Sequence, residues 1–284
     1  MLAPTLSTYA PSQHQIQRSG LGYAGVLTVD QLQRAVPSAF AENAHESRSA
    51  RYAYIPTIEV VEGLRNEGFL PVQAFEAKAR NEDRFGFTKH LIRFRKADQL
   101  GQAEAREVIV INAHDGSSAY KLNAGVYRLI CSNGLIVGNE DTRQTVRHSG
   151  NVIHDVIEGA TRLIETFDQV TYDIDTMKSV QLEKPLMLAY AEAALEARFN
   201  VDEKPLTAEQ ILRPRRMADT GSDVWTVFNR VQENVIKGGL HGTSKDANGR
   251  TLHRRTREVK GIDQSDTLNR ALWKLGVELA KLAA

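Results

Sequence analysis

The spacing of apolar residues changes character once along this chain, near residue 148. From about residue 69 to residue 137, short apolar runs are separated by turn residues, as in β-strands. From about residue 149 onwards, apolar residues recur every three or four positions, as in amphipathic helices. Strands followed by helices favour an α+β fold over an alternating α/β fold. We therefore predict an antiparallel β-meander of about four to five strands, followed by and packed against a mostly helical C-terminal half.

Two turn motifs indicate where strands of the predicted meander are connected. Asn133-Gly134 lies between apolar runs and predicts a hairpin, because both residues tolerate positive φ. Asp115-Gly116 marks a second turn, directly after the apolar run 108–111. A continuous run of that kind is typical of a central strand that is buried on both faces.

The chain divides by pattern into an arm and two halves. Residues 1–50 are rich in polar residues and Gly, with one short helix at 28–36, and we expect an arm that is flexible or ordered only against a partner. Residues 51–148 form the β-rich half. Residues 149–284 form the helical half, which continues the same globular unit. The helices expected there are 152–167, 186–199, 208–212, 224–237 and 265–282.

Composition excludes several classes of protein. The 36 Lys and Arg residues against 35 Asp and Glu residues leave a net charge of +1, so a strongly basic nucleic-acid wrapper is excluded and any charge argument must be local. The single cysteine excludes a disulfide framework and a multi-cysteine zinc site. No apolar run approaches the roughly 18 residues of a membrane span, and no secretory leader pattern opens the chain, so we expect a cytoplasmic protein without a membrane partner.

Three motifs suggest chemistry, but each has a simpler structural interpretation. The GxGxxG at 20–25 follows a polar stretch rather than a strand, so a flexible arm explains it better than a dinucleotide site. Cys131 lies in an apolar strand and reads as a small core residue. The histidines His90, His114 and His148 lack the spacing of metal ligands on one helix. We expect neither a cofactor nor a bound metal.

Two polar segments remain candidates for ligand contact. Asn112 and His114 end a buried strand, where turn chemistry does not explain them, whereas Asp115 fits the turn itself. The predicted helix 224–237 has an amide-rich flank beside its apolar stripe. These side chains either bind a ligand or bond to the backbone around them. The candidates for ligand contact are His90, Asn112, His114, Asp115, Asn133, His148, Asn229, Gln232 and Glu233.

Basic side chains cluster in four places, which are residues 84–96, 143–147, 213–216 and 245–260. The stretch 87–96 alternates as a strand should, which places Lys89, Arg93 and Arg95 on a solvent face, opposite a core face of His90, Ile92 and Phe94. The stretch 239–263 reads as a long irregular connection, and within it residues 245–260 carry six cations and two acids, net +4. Such surfaces suit a phosphate backbone, although a solvated surface explains them equally well. The candidate nucleic-acid contacts are Lys89, Arg93, Arg95, Arg147, Arg254, Arg255 and Arg257.

Several polar blocks in order resemble the phage/plasmid-like proteins grouped as domain of unknown function 932. The resemblance covers roughly residues 52–282. It rests on Tyr54-Ile55-Pro56-Thr57, Phe87-Thr88-Lys89-His90, Asn112-Ala113-His114-Asp115-Gly116-Ser117-Ser118, Cys131-Ser132-Asn133-Gly134-Leu135, Arg147-His148, Trp225 to Asn234, Gly238-Gly239 and Asn269-Arg270-Ala271-Leu272-Trp273.

The resemblance implies a context rather than a reaction. Proteins of this kind are carried by phages, plasmids and prophages, near genes for single-strand binding, annealing and nucleases. It transfers no established activity and no catalytic residues. The polar blocks that it shares fall here on His90, Arg93, Asn112, His114, Asp115, Asn133, Arg147, His148, Asn229, Gln232 and Glu233.

Three functions stay open at this point. The first is a mobile-element accessory protein that binds nucleic acid, with single-stranded or recombining DNA favoured, without catalysis and with homo-oligomerisation as a further expectation. The second is a protein-binding inhibitor of a host defence factor, whose partner is a host or mobile-element protein. The third is a metal-dependent hydrolase or nuclease that uses His114, Asp115 and His148.

Overall fold

A computed structural model describes residues 25–47, 54–79, 81–129, 133–138, 142–148, 150–199, 204–245 and 248–284. Most of the GxGxxG motif, and Cys131, lie outside these residues. None of the helices in the ranges described has the length and apolar character needed to cross a bilayer.

The described part of the N-terminal arm is built into the fold. Helix α1 (Val29–Ala35) begins at a capping box, in which the Thr28 hydroxyl accepts a hydrogen bond from the Gln31 amide and the Gln31 side chain accepts one from the Thr28 amide. A 3-10 turn (Pro37–Phe40) follows. Leu32 and Val36 are fully buried in the main core. The expectation of an arm ordered only against a partner is therefore wrong for residues 25–47, because the arm's apolar residues pack on the protein itself.

Helix α2 (Thr57–Asn66) leads into the antiparallel sheet. Its strands are β1 (Phe69–Glu76), β2 (His90–Lys96), β3 (Glu104–Asn112), β4 (Tyr120–Arg128), β5 (Asn133–Ile136) and β6 (Arg143–Val146). The order β1-β2-β3-β4-β5 confirms the predicted meander. Both β5 and β6 pair with the same side of β4, β5 along residues 125–128 and β6 along residues 120–123. The strand β4 is thus one long strand that carries two short partners on that side.

The two faces of the sheet are both covered, which the alternation in β2 did not reveal. His90, Ile92 and Phe94 lie on the main core face, as predicted. On the opposite face, Leu91 belongs to a smaller apolar cluster with Ile109, Ile111, Ile136 and Ile262 of the C-terminal helix. Because a helix covers this second face, Arg93 and Arg95 are only 5% and 7% exposed, and their predicted place on a solvent face is wrong.

The helical half packs on the sheet around one shared core. Its helices are α3 (Val152–Glu165), α4 (Phe167–Ser179), α5 (Lys184–Arg198), α6 (Ala208–Ile211), α7 (Val224–Lys237) and α8 (Ile262–Ala283). Trp225 and Phe228 of α7 stack with their ring centroids 5.5 Å apart, and Trp273 of α8 meets both edge-on. Aromatic residues at helical spacing here fill a core. The α+β prediction, with a mostly helical C-terminal half, is confirmed.

The long connection between α7 and α8 contains regular structure, contrary to prediction. Strands β7 (His241–Lys245) and β8 (Thr251–Arg255) form an antiparallel hairpin, which we call the basic hairpin. Gly238 ends α7 with φ +57°, and a Cβ there would lie 2.7 Å from the carbonyl carbon of Arg257. The hairpin was missed because its residues are polar on both faces, so no apolar alternation marks it.

Candidate functional site

One end of the sheet holds a closed cluster of polar side chains, centred on Thr57. Its hydroxyl Oγ1 lies 2.9 Å from His90 Nε2, 3.0 Å from His114 Nε2 and 3.0 Å from Asn112 Nδ2. His148 joins through its Nε2, 3.0 Å from Asn112 Oδ1. Four of the predicted ligand-contact residues thus converge. The register pairs His90 with Asn112 across β2 and β3, which brings the two strand ends together.

Counting protons assigns the donors in this Thr57 cluster. His90 Nδ1 lies 2.8 Å from the Ser38 hydroxyl and 3.2 Å from the Thr88 carbonyl, which can only accept, so a proton on Nδ1 satisfies both contacts. In a neutral ring, His90 Nε2 then accepts from the Thr57 hydroxyl. The two lone pairs of that hydroxyl accept from Asn112 Nδ2 and His114 Nε2. The Tyr120 hydroxyl also lies 3.3 Å from Thr57 Oγ1, and it donates to the Ile55 carbonyl at the same distance. In this arrangement His114 Nδ1 is left as a buried acceptor without a hydrogen-bond donor among the described residues.

Burial keeps the three imidazoles neutral. It lowers the pKa of His90 to about 4, and with the neighbouring His90 and His148 it lowers the pKa of His114 to about 3. Burial also lowers the pKa of His148. Asp115 differs, since burial favours its neutral form but hydrogen bonds from Ser117 and Arg84 outweigh this and lower its pKa.

The Thr57 cluster joins separate elements through hydrogen bonds, and its nitrogen and oxygen atoms are not arranged as metal ligands. Two of its histidine nitrogens point at a hydroxyl, and the Asp115 carboxylate bonds Arg84 at 2.9 Å. Within the described ranges, a group of three His and carboxylate ligand atoms within 4.8 Å of one another is formed by His154, Asp155 and Glu158, near the start of α3. The triad proposed for hydrolysis, His114, Asp115 and His148, is not brought together in that way.

A second set of predicted residues forms a buried ion network on the far face of the sheet. Glu107 is 1% exposed and accepts from Arg93 at 2.7 Å and from Arg95 at 2.7 Å. Arg93 also donates to the carbonyl oxygens of Gly134 and Leu135. The predicted phosphate contacts of Arg93 and Arg95 are therefore corrected, because both guanidinium groups face inward and are held by a carboxylate.

Gly134 lies against this network and not in the hairpin turn predicted for it. The residue belongs to β5, and a Cβ added there would lie 2.6 Å from Arg93 Cζ. Only glycine lets the guanidinium pass so close to the strand. The β4–β5 hairpin itself is present, as predicted. The side chain of Asn133, the other half of that motif, lies outside the described residues.

The amide-rich flank of α7 is occupied by internal partners. Asn229 donates to the Trp225 carbonyl at 2.8 Å, and Gln232 donates to Asn269 Oδ1 at 2.6 Å. Glu233 accepts two hydrogen bonds of 2.7 Å from Arg216. These contacts satisfy buried polar groups, so the structure favours the structural interpretation of this flank.

The remaining basic candidates are on the surface. Arg254, Arg255 and Arg257 are exposed and form no ion pair with a carboxylate of the described chain. Arg147 is exposed as well, whereas Lys89 is held 2.5 Å from Asp263. Of the predicted nucleic-acid contacts, those that remain accessible to an anionic partner are Arg147, Arg254, Arg255 and Arg257.

Sequence reasoning missed two residues that organise these sites. Glu107 precedes an apolar run, and an acid beside a buried strand that faces predicted arginines is a signal for a buried ion pair. Thr57 carried the signal of a helix start only, since nothing in its spacing relates it to three histidines 33, 57 and 91 residues away.

Comparisons with known proteins place this arrangement in a family. The family model described as Domain of unknown function (DUF932) matches residues 44–273. UPF0380 protein YafZ of Escherichia coli (strain K12) is 45% identical over 253 residues, which cover 89% of this chain and 91% of the relative. UPF0380 protein YfjQ of the same organism is 44% identical over the same shares. No solved structure matches. The chain therefore belongs to the family described as Domain of unknown function (DUF932).

Proposed function

We propose that this protein binds nucleic acid through the basic hairpin and its C-terminal flank, without catalysing a reaction on it. One observation carries the proposal: Arg254, Arg255 and Arg257 are exposed together and lack carboxylate partners among the described residues. Unpaired cations on one protruding element attract a polyanion, and each phosphate contact releases condensed counterions.

The charge of the rest of the molecule supports this choice of surface. Elsewhere three of the four candidate cations are paired, Arg93 and Arg95 with Glu107 and Lys89 with Asp263, and Arg147 is exposed. With a net charge of +1 overall, an unpaired cluster is a local feature and not a general property of the surface. An accessory role in mobile-element DNA transactions fits the family resemblance and is part of the proposal.

The proposal omits catalysis because the Thr57 cluster is closed. Thr57, His90 and His114 are 0%, 1% and 0% exposed, so no substrate reaches them in this conformation. Their hydrogen bonds link separate elements and leave one free acceptor, His114 Nδ1. A buried network in which all but one of these atoms are hydrogen-bonded specifies a fold.

The test is fluorescence anisotropy with labelled single-stranded and duplex oligonucleotides, from about 50 mM to 200 mM salt. We expect saturable binding that weakens steeply with salt. Replacing Arg254, Arg255 and Arg257 by Ala should reduce affinity at least tenfold, because about three phosphate contacts are lost. Their exposure predicts little change in folding stability.

A matched control removes three exposed cations elsewhere, Arg106→Ala, Arg162→Ala and Lys274→Ala, which changes the net charge equally. This control should retain affinity within about twofold. Equal losses of affinity in the two triple variants would show that the effect comes from net charge alone and would contradict the proposal. Absence of binding at low salt would also contradict it and would favour a protein partner, as expected of an inhibitor.

A further inference from the structure

We infer that the basic hairpin enters the major groove of duplex DNA, where its outward side chains meet the edges of the bases. The inference rests on the proposed function and narrows it from nucleic acid in general to B-form duplex. It follows from which side chains share each face of the hairpin, from its dimensions and from its lack of aromatic residues.

The register divides the hairpin into two faces. His241 pairs with Arg255 and Thr243 pairs with His253, so these side chains share one face. On the opposite face Gly242 abuts the body of the protein, since a Cβ added there would lie 1.8 Å from the carbonyl oxygen of Pro205, whereas its partner in the register, Arg254, is exposed. The outward face is exposed along its described length. Its described side chains are His241, Thr243, Thr251, His253 and Arg255.

The dimensions fit the groove. Each strand has five residues, which at about 3.3 Å per residue gives a ribbon roughly 16 Å long. The major groove of B-DNA is about 12 Å wide and 8.5 Å deep and admits a two-stranded ribbon. Among the described residues, the first half of β7 is held to the body of the protein, where Pro205 accepts from the Thr243 amide and Gln210 donates to the His241 carbonyl.

The outward face has the chemistry that base edges require. Imidazole, hydroxyl and guanidinium groups donate hydrogen bonds to the N7 and O6 acceptors of purines, and threonine methyls contact the thymine methyl. Arg254 lies on the other face of the ribbon, and Arg257 lies two residues beyond β8. These two cations are placed for the phosphates that border the groove.

Single strands and RNA fit this element less well. Proteins that bind single strands stack bases on aromatic side chains, and residues 241–255 contain no Phe, Tyr or Trp. Phe87, the aromatic residue that precedes Lys89 in the chain, packs edge-on against His45 with their centroids 5.3 Å apart. The major groove of A-form RNA is too deep and narrow for side chains to read.

The experiment compares three probes by anisotropy: a duplex of about 20 base pairs with mixed sequence, one of its strands alone, and the same duplex built with 7-deazapurines. The deaza duplex keeps its phosphates and its minor groove but lacks the N7 acceptors. We expect the duplex to bind at least about tenfold tighter than the strand, and the deaza duplex to bind at least about fivefold weaker than the natural duplex.

Two variants separate the faces of the hairpin. Thr243→Ala combined with His253→Ala should reduce the difference between natural and deaza duplexes, and adding Arg255→Ala should abolish it, because all three side chains lie on the outward face. Arg254→Ala should preserve that difference and lower the salt slope by about one unit. Equal or tighter binding of the single strand, or a deaza duplex bound as well as the natural one, would overturn the inference while leaving the proposed function intact. Failure of every probe to bind would refute the proposed function itself.

Discussion

Glu107 Oε2 accepts from Arg93 NH1 at 2.7 Å, and its other oxygen holds Arg95, with the glutamate side chain fully buried. Two guanidinium groups thus share one carboxylate between the sheet and the C-terminal helix. Because of these ion pairs, the face of β2 that was predicted to bind phosphate lies in the interior of the protein.

Replacing Glu107 by Gln should destabilise the protein by about 3–5 kcal/mol, because two buried guanidinium groups lose their counter-charge. The measurement is the free energy of unfolding from urea titration. Glu258→Gln, an exposed residue, serves as the control and should change stability by less than about 0.5 kcal/mol. A loss below about 1 kcal/mol in the Glu107 variant would show that water reaches this network.

Thr57→Val keeps the shape of the side chain but removes the hydroxyl that serves His90, His114 and Asn112. We expect a loss of about 3 kcal/mol or more, since each buried polar group left unsatisfied costs about 1–3 kcal/mol. Thr57→Ser should restore most of the stability. Thr145→Val, at an exposed position of β6, is the matched control. If the Thr57 and Thr145 variants unfold alike, the hydrogen bonds assigned to the Thr57 cluster are wrong.

Stability should fall on mild acidification. The folded-state pKa of His90, about 4, and of His114, about 3, lie below the ordinary value of 6.5, so the unfolded chain takes up protons first. Their contribution is complete above about pH 6.5 and is lost as the pH falls towards 4. At about pH 5.5 each histidine should cost about 1.4 kcal/mol. Urea titrations between about pH 7.5 and 5.5 test this, and a flat profile would contradict the burial of neutral imidazoles.

Gly242→Ala should detach the hairpin from the body without unfolding the protein. The new methyl group would meet the backbone of Pro205 at 1.8 Å, and that backbone cannot rotate away as a side chain can. We expect faster tryptic cleavage at Arg254 and Arg255, with an unchanged midpoint of global unfolding. Gly249→Ala is a less suitable control because of its φ of +76°, whereas Ser244→Ala leaves the strand backbone unstrained. Equal cleavage of the Gly242 variant and the wild type would contradict the close approach.

The sequence predicted what depends on local pattern. Helix 224–237 matches α7 at both ends, because Asp223 caps it and Gly238 ends it. The faces of β2 were assigned correctly, but whether the second face meets solvent depends on Ile262, about 170 residues away. No spacing within β2 contains that information.

The candidate site residues also separate what local pattern predicts from what depends on the whole fold. Asn112 and His114 were singled out by their position at a strand end, and His90 and His148 by the polar blocks that the family resemblance shares. Their convergence on Thr57 depends on strand register and on the packing of α2, which are properties of the whole fold. In the basic hairpin, the sequence predicted the cluster of charges but not the strands that carry them, because these strands lack alternating apolar residues.

The shared pairing of β5 and β6 along β4 also limits how copies of the chain could join. Each of these strands has only four residues, so neither presents a long template for another chain. At the opposite border, Pro71 and the irregular register beside it interrupt β1, and the Leu27 amide already occupies the Pro71 carbonyl. The six-stranded sheet is thus protected against strand addition, and self-association of this protein would have to use other surfaces.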